Sequence, residues 1–139
     1  AHGFLSYLMR CTVTGRRYTV FGHGGKQVRD NLHSSDAVAA FTAFHADPRP
    51  GAVYNLGGGR VSNCSVSEAI AVAERIAGRR LDRVYDPRPR TGDHRWWISD
   101  LAEFQRDYPT FTPHYGVEDL LREIYEVNAE RWTALAASG

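Results

Sequence analysis

Two arginines set the chemical question. Arg29 follows the glycine turn Gly22-His23-Gly24-Gly25, and Arg90 opens Arg90-Thr91-Gly92-Asp93 in a loop bearing Pro87 and Pro89. A guanidinium is a planar fork that matches phosphate oxygens in bidentate geometry. Two of them brought together from different strand–loop junctions would suit a diphosphate, each charge-assisted contact contributing about 1.5–3 kcal/mol. Phe21 stands at the end of a β-prone run where a base could stack, and Trp96-Trp97 follows the Arg90 loop. Spacing alone equally accommodates solvated pairs, Arg29 with Asp30 or Asp36 and Arg90 with Asp93, each worth under about 1 kcal/mol. It also accommodates the aromatics as core or lid packing.

Other chemistry is sparse. Gly57-Gly58-Gly59 lies between an extended run and a helix, with Asp86 after the next strand, which superficially imitates a dinucleotide site. Such a loop needs a third glycine near position 62, where Ser62 stands, and Arg60 to Cys64 separate the glycines from the helix. A strand-to-helix connection rich in tight turns is the expectation. The histidines lack metal-ligand spacing, so no zinc site is expected. His33 is a candidate general base or a structural residue. Cys11 and Cys64 lie far apart without a CxxC and read as thiols of a reducing compartment, with a disulfide left open.

These residues need elements to position them. Phe4, Leu8 and Cys11 have helical spacing, and Gly15 stands where that helix would end. Tyr18–Phe21 and Gln27–His33 read as extended. Ser35 and Asp36 open a helix with Val38, Phe41 and Phe44 on one side, stopped by Pro48. Ala52–Leu56 reads as a strand. Ser65-Val66-Ser67-Glu68 is a capping box opening a helix with Val66, Ile70, Ala73 and Ala77 on its apolar face and Gly78 at its end. Leu81–Tyr85 is a further strand, and Asp100 and Glu103 cap a short helix before Pro109. A last helix starts near Val117 with Leu120, Ile124, Val127 and Leu135 at helical spacing. The alternation predicts an α/β fold with few, short strands and packed helices, one region over residues 1–139.

Composition bounds the function. The 139 residues are 42% apolar and 24% charged with a net charge of +1, which fits a folded domain and argues against a nucleic-acid-coating protein. No apolar run approaches the roughly 20 residues a membrane span needs. The chain opens without Met and inside a helical pattern, and a piece of a longer protein is expected.

Three motifs in series carry a resemblance: Arg29-Asp30-Asn31-Leu32-His33-Ser34-Ser35-Asp36, Tyr54-Asn55-Leu56-Gly57 and Arg90-Thr91-Gly92-Asp93. Over about Gly3 to Trp132 the chain resembles the C-terminal half of NAD-dependent nucleotide-sugar epimerases and dehydratases, the extended short-chain dehydrogenase/reductases. Gly25-Lys26-Gln27-Val28-Arg29-Asp30-Asn31 looks most like the CDP-paratose (CDP-tyvelose) 2-epimerase branch. Asn31 and Ser34 depart from the aromatic and Val that most relatives carry.

The resemblance implies a substrate-binding region for a nucleotide-diphosphate sugar, with NAD held by an N-terminal Rossmann half outside these residues. By motif, Arg29 and Arg90 would hold the diphosphate, Thr19 and Phe21 would flank the base, and Asp93 would bind the ribose. Tyr54-Asn55-Leu56-Gly57 would be a strand end shaping the pocket wall. No catalytic residue is expected in this chain, because the family's glycine-rich loop and Tyr-x-x-x-Lys pair are absent. The implied activity is CDP-sugar 2-epimerisation in a cytoplasmic enzyme that is a homodimer at full length. The alternatives are a stand-alone nucleotide-diphosphate binding module and a non-catalytic remnant.

Overall fold

Helical periodicity and β-prone runs resolve into five α-helices and five short strands in a computed structural model that describes residues 3–137. α1 (Phe4–Thr14) leads into β1 (Tyr18–Phe21), a 3-10 turn at His23–Gly25, and β2 (Val28–Asp30). α2 (Ser34–Ala46), β3 (Asn63–Ser65), α3 (Val66–Ala77) and β4 (Arg83–Asp86) follow. β5 (Trp96–Trp97), α4 (Ala102–Asp107) and α5 (Val117–Ala137) complete the chain. The strands form two small sheets. β1 and β4 run parallel, pairing Tyr18 with Arg83 through Phe21 with Asp86. β2 is central in the other, antiparallel to β3 and parallel to β5. The α/β expectation holds, with strands as few and short as the sequence suggests.

The main core lies where α1, α3 and α5 meet β1. Leu8, Met9, Ala69, Ala73 and Leu121 are sealed from solvent there, with Tyr18, Ile70 and Trp132 beside them. α3 forms as its capping box predicts: Ser65 Oγ accepts from the Glu68 N–H at 3.2 Å, and the Ser65 N–H donates to Glu68 Oε2 at 2.7 Å. The Ser65 N–H and the Ser65 hydroxyl, both donating to Glu68 Oε2, hold the Glu68 carboxyl below its ordinary range. Gly15 and Gly78 end α1 and α3 in left-handed conformation, as expected. Among the described residues no helix is long and apolar enough to cross a membrane.

A second core joins Ala40 of α2 to Phe104, Tyr108 and Phe111, with Phe44, Tyr54 and Leu56 packed against it. Three departures from the sequence expectations lie in it or beside it. Ala52–Leu56 is irregular rather than a strand, because Tyr54 turns into this cluster, edge-on to Phe104 at 5.2 Å, and its hydroxyl donates to Asp107. α2 does not bury the side carrying Val38 and Phe41, which are 62% and 67% exposed. It buries Asp36 and Ala40, because the Asp36 carboxylate accepts from the His114 and Tyr115 backbone N–H groups at 3.1 and 3.2 Å. The N-cap of α2 is His33, whose Nδ1 accepts from the Ser35 N–H, rather than Ser35 or Asp36.

The remaining corrections are local. The extended piece expected at Gln27–His33 narrows to β2, and Leu81–Tyr85 shifts to β4. β3 and β5 carry no sequence signal, being three and two residues long. The residue at the N-cap of α4 is Leu101; Asp100 instead accepts from the Ala102 N–H. On α5, Leu120 and Ile124 pack against the core, whereas Val127 and Leu135 face solvent.

Candidate functional site

One cavity of about 180 Å³ is lined by Thr19, Phe21, Arg29, Arg90 and Asp93, together with Phe4, Tyr18, Val20, Gln27 and Val66. The five residues singled out in the sequence therefore share one concavity, although they come from β1, β2 and the loop between β4 and β5. β1 delivers Thr19 and Phe21. β2 and the residue before it deliver Gln27 and Arg29, two apart and so on the same side of an extended chain.

The Arg90 loop is fastened to the end of β1. The Gly22 N–H donates to the Asp86 carbonyl at 2.8 Å. Gly22 has φ +57, and a Cβ there would stand 2.7 Å from Pro89 Cα. Only glycine meets both demands. Arg88 grips Asp86 with Nε at 3.0 Å and Nη2 at 2.7 Å, which pulls the Asp86 carboxyl down to about 2. The Asp93 N–H donates to the Arg90 carbonyl at 3.0 Å, closing the turn that carries both side chains.

Within the cavity the charges are arranged rather than scattered. Arg29 Nη2 donates to Asp93 Oδ1 at 2.5 Å, and Arg29 Nη1 donates to the Val28 carbonyl at 2.7 Å. Arg29 thus pairs with neither Asp30 nor Asp36, its candidate surface partners. Asp30 Oδ2 instead accepts from the Gly59 and Ser99 N–H groups at 3.0 and 3.1 Å. Arg90 does not form the surface pair with Asp93; its guanidinium lies over the Phe21 ring at 4.6 Å from the centroid. One surplus positive charge remains among the three ionic side chains of the lining. Burial pushes the Tyr18 phenol upward, so Tyr18 presents a neutral wall.

Several expected positions lie elsewhere. Tyr54-Asn55-Leu56-Gly57 does not shape this cavity. The Tyr54 phenol is pushed up to about 12 by burial and by its bond to the Asp107 carboxylate. A Cβ on Gly57 would stand 2.3 Å from both Asp30 Oδ2 and Ser99 Oγ, so that glycine permits close chain approach. Trp96 and Trp97 are neither core nor lining: they are 68% and 54% exposed. His33 is structural, tied through Nε2 to Glu123 at 2.7 Å and stacked on Tyr115 at 4.0 Å. Cys11 and Cys64 are both free and buried, and burial raises both thiols, Cys64 to about 11. Among the described residues no cluster of three or more His, Cys, Asp or Glu could hold a metal ion.

Gln27 is the lining residue that sequence reasoning missed as a site residue. It is buried, its Nε2 donates to the Phe21 carbonyl at 2.8 Å, and its Oε1 has no partner among the described residues. The one available signal was its position two residues before Arg29 on an extended segment.

No family model matches the chain. It is 30% identical over 139 residues to a dTDP-glucose 4,6-dehydratase of Streptomyces griseus, covering 98% of this chain and 40% of that protein. Among solved structures it is similar to MoeE5 in complex with UDP-glucuronic acid and NAD, at 32% identity and TM-score 0.74, covering 96% of this chain and 42% of that one. It is also similar to UDP-glucose 4-epimerase of Thermotoga maritima with UDP-glucose, at 26% identity and TM-score 0.78, covering 93% and 40%. The chain spans about two-fifths of the length of these relatives and matches their C-terminal portion.

Proposed function

We propose, from the premise that this chain corresponds to the C-terminal part of the NAD-dependent nucleotide-sugar epimerases and dehydratases, that it binds the nucleotide-sugar in the Arg29–Arg90 cavity. The observation that carries this is the convergence of Arg29, Arg90 and Asp93 with Phe21 on one concavity. Arg29 and Arg90 neutralise a diphosphate. Phe21 and Thr19 flank the base, with Arg90 leaving the Phe21 face as the ligand arrives. Asp93 accepts from a ribose hydroxyl while holding Arg29 in place. The specific reaction we assign to the complete enzyme is CDP-sugar 2-epimerisation, in a cytoplasmic homodimer.

The residues present do not fit NAD. Gly57 is filled against Asp30 and Ser99, and Gly58 lies where a Cβ would stand 2.2 Å from the Asn31 carbonyl oxygen. No cradle for a pyrophosphate is left there. The sequence also holds one lysine, Lys26, and no Tyr-x-x-x-Lys. This chain therefore binds and orients the nucleotide-sugar, and by itself it does not turn it over.

Titrating CDP into the chain tests the site. Arg29→Ala is expected to weaken binding by about tenfold or more, the equivalent of one lost charge-assisted hydrogen bond. Unchanged affinity in that variant removes the diphosphate assignment.

A further inference from the structure

The two arginines of the cavity are held very differently. Arg29 is fixed by two hydrogen bonds, to Asp93 Oδ1 and to the Val28 carbonyl. The Arg90 side chain makes no hydrogen bond and no ion pair among the described residues. Its guanidinium carbon lies over the Phe21 ring, 4.6 Å from the centroid. Five N–H donors are thus left to solvent on an exposed residue.

The backbone that carries Arg90 has little room to travel. The Gly22 N–H holds the Asp86 carbonyl, and a Cβ on Gly22 would stand 2.7 Å from Pro89 Cα. The Asp93 N–H closes the turn on the Arg90 carbonyl. What is free to move is the side chain, by rotation about its own bonds. Arg29 is a fixed fork, and Arg90 is a swinging one.

Where Arg90 rests decides what else can bind. Arg90 and Phe21 line the same cavity, and Phe21 is the ring proposed to take the base. A guanidinium on that ring face and a base on that face exclude each other, since both need the same π-surface.

We propose that Arg90 gates the base platform: without phosphate it covers Phe21, and a phosphate draws it off and uncovers the ring. This rests on the nucleoside-diphosphate reading of the cavity given above. The two ends of the ligand then bind cooperatively, and by linkage each end helps the other equally. A free nucleoside must displace Arg90 unaided. An exposed cation–π contact favours the covered state about two- to fivefold, leaving the ring free in roughly a sixth to a third of molecules. Nucleoside affinity is lowered by that fraction, about three- to sixfold. The cavity thereby discriminates against unphosphorylated nucleosides with a residue that also holds the correct ligand.

The test splits the ligand into two fragments, inorganic pyrophosphate and a pyrimidine nucleoside, titrated on the chain by NMR. Cytidine and uridine are run in parallel, because stacking does not depend on the edge of the base. Nucleoside affinity is expected to rise about three- to sixfold when pyrophosphate is saturating. In Arg90→Ala the nucleoside is expected to bind tighter by that factor without pyrophosphate, which then adds nothing further. CDP is expected to bind the same variant more weakly than the native chain, so one substitution moves the two ligands in opposite directions. The fragment series on the native chain stands even if the variant folds poorly. Nucleoside affinity that ignores pyrophosphate, or that falls in Arg90→Ala, overturns the gate. If Arg29→Ala still weakens pyrophosphate binding, that failure belongs to Arg90 alone. If either fragment binds under no condition, or Arg29→Ala leaves pyrophosphate unchanged, the cavity reading fails and the gate falls with it.

Discussion

Arg29 is held in place before any ligand arrives, because Asp93 and the Val28 carbonyl both take hydrogen bonds from its guanidinium. That arrangement gives Asp93 two opposed effects on an anionic ligand: it subtracts charge from the site, and it fixes the fork that must meet the phosphates. In the proposed site fixation outweighs charge, so Asp93→Ala is expected to weaken CDP binding several-fold; tighter binding in a titration of that variant would mean Asp93 only neutralises. Carboxylates outside the cavity report on folding. Arg88 holds Asp86 at about 2, and Arg75 with Arg122 holds Glu118 at about 2. In the unfolded chain both return to their ordinary values, 3.8 and 4.5. Their folded values are depressed, so their stabilisation is present above those ordinary values and is lost as pH falls toward 2. Thermal melts from pH 5 to 2 should show Asp86→Asn losing less stability on acidification than the native chain. The arginines were legible in the sequence as residue types and as motif positions. The partner of Arg29 was not, since it lies 64 residues away.

Elements with local causes were the readable ones. α3 could be placed from Ser65 and Glu68 because both halves of its cap lie within four residues. Ser65→Ala should cost about 1 kcal/mol in denaturant unfolding. β3 and β5 were illegible because strands of three and two residues exist through pairing with β2, a nonlocal event that leaves no period in the sequence. Ala52–Leu56 failed in the opposite way: it has strand-like composition, yet it is irregular, with Tyr54 packed into the Phe104–Tyr108 cluster. Spacing set the glycine run apart from a dinucleotide loop, and the close approach of Asp30 and Ser99 to Gly57, residues arriving from elsewhere, left no trace in that spacing. Gly57→Ala drives a methyl group into both, and a destabilisation of about 1–3 kcal/mol is expected in the same unfolding experiment.

At the scale of the whole molecule, the chain passes directly between the two sheets from β1 to β2 and again from β4 to β5. β4 belongs to one sheet and β5 to the other, and the loop between them carries Arg90 and Asp93. The two sheets share no strand, so within the described residues this stretch of chain is a direct stitch between them. A ligand that clasps the loop is therefore linked to the ordering of both sheets at once. Occupancy at a hundredfold excess over Kd would raise the global free energy of unfolding by about 2.7 kcal/mol. The more telling signature is in amide hydrogen exchange: CDP should slow exchange in Arg83–Asp86 and in Trp96–Trp97 together, although within residues 83–97 only Arg90 and Asp93 of the loop are proposed contacts. Slowing confined to one strand would show that the sheets open independently. Concerted slowing would make the bound nucleotide a fastener that sets the lifetime of the folded chain as well as its cargo.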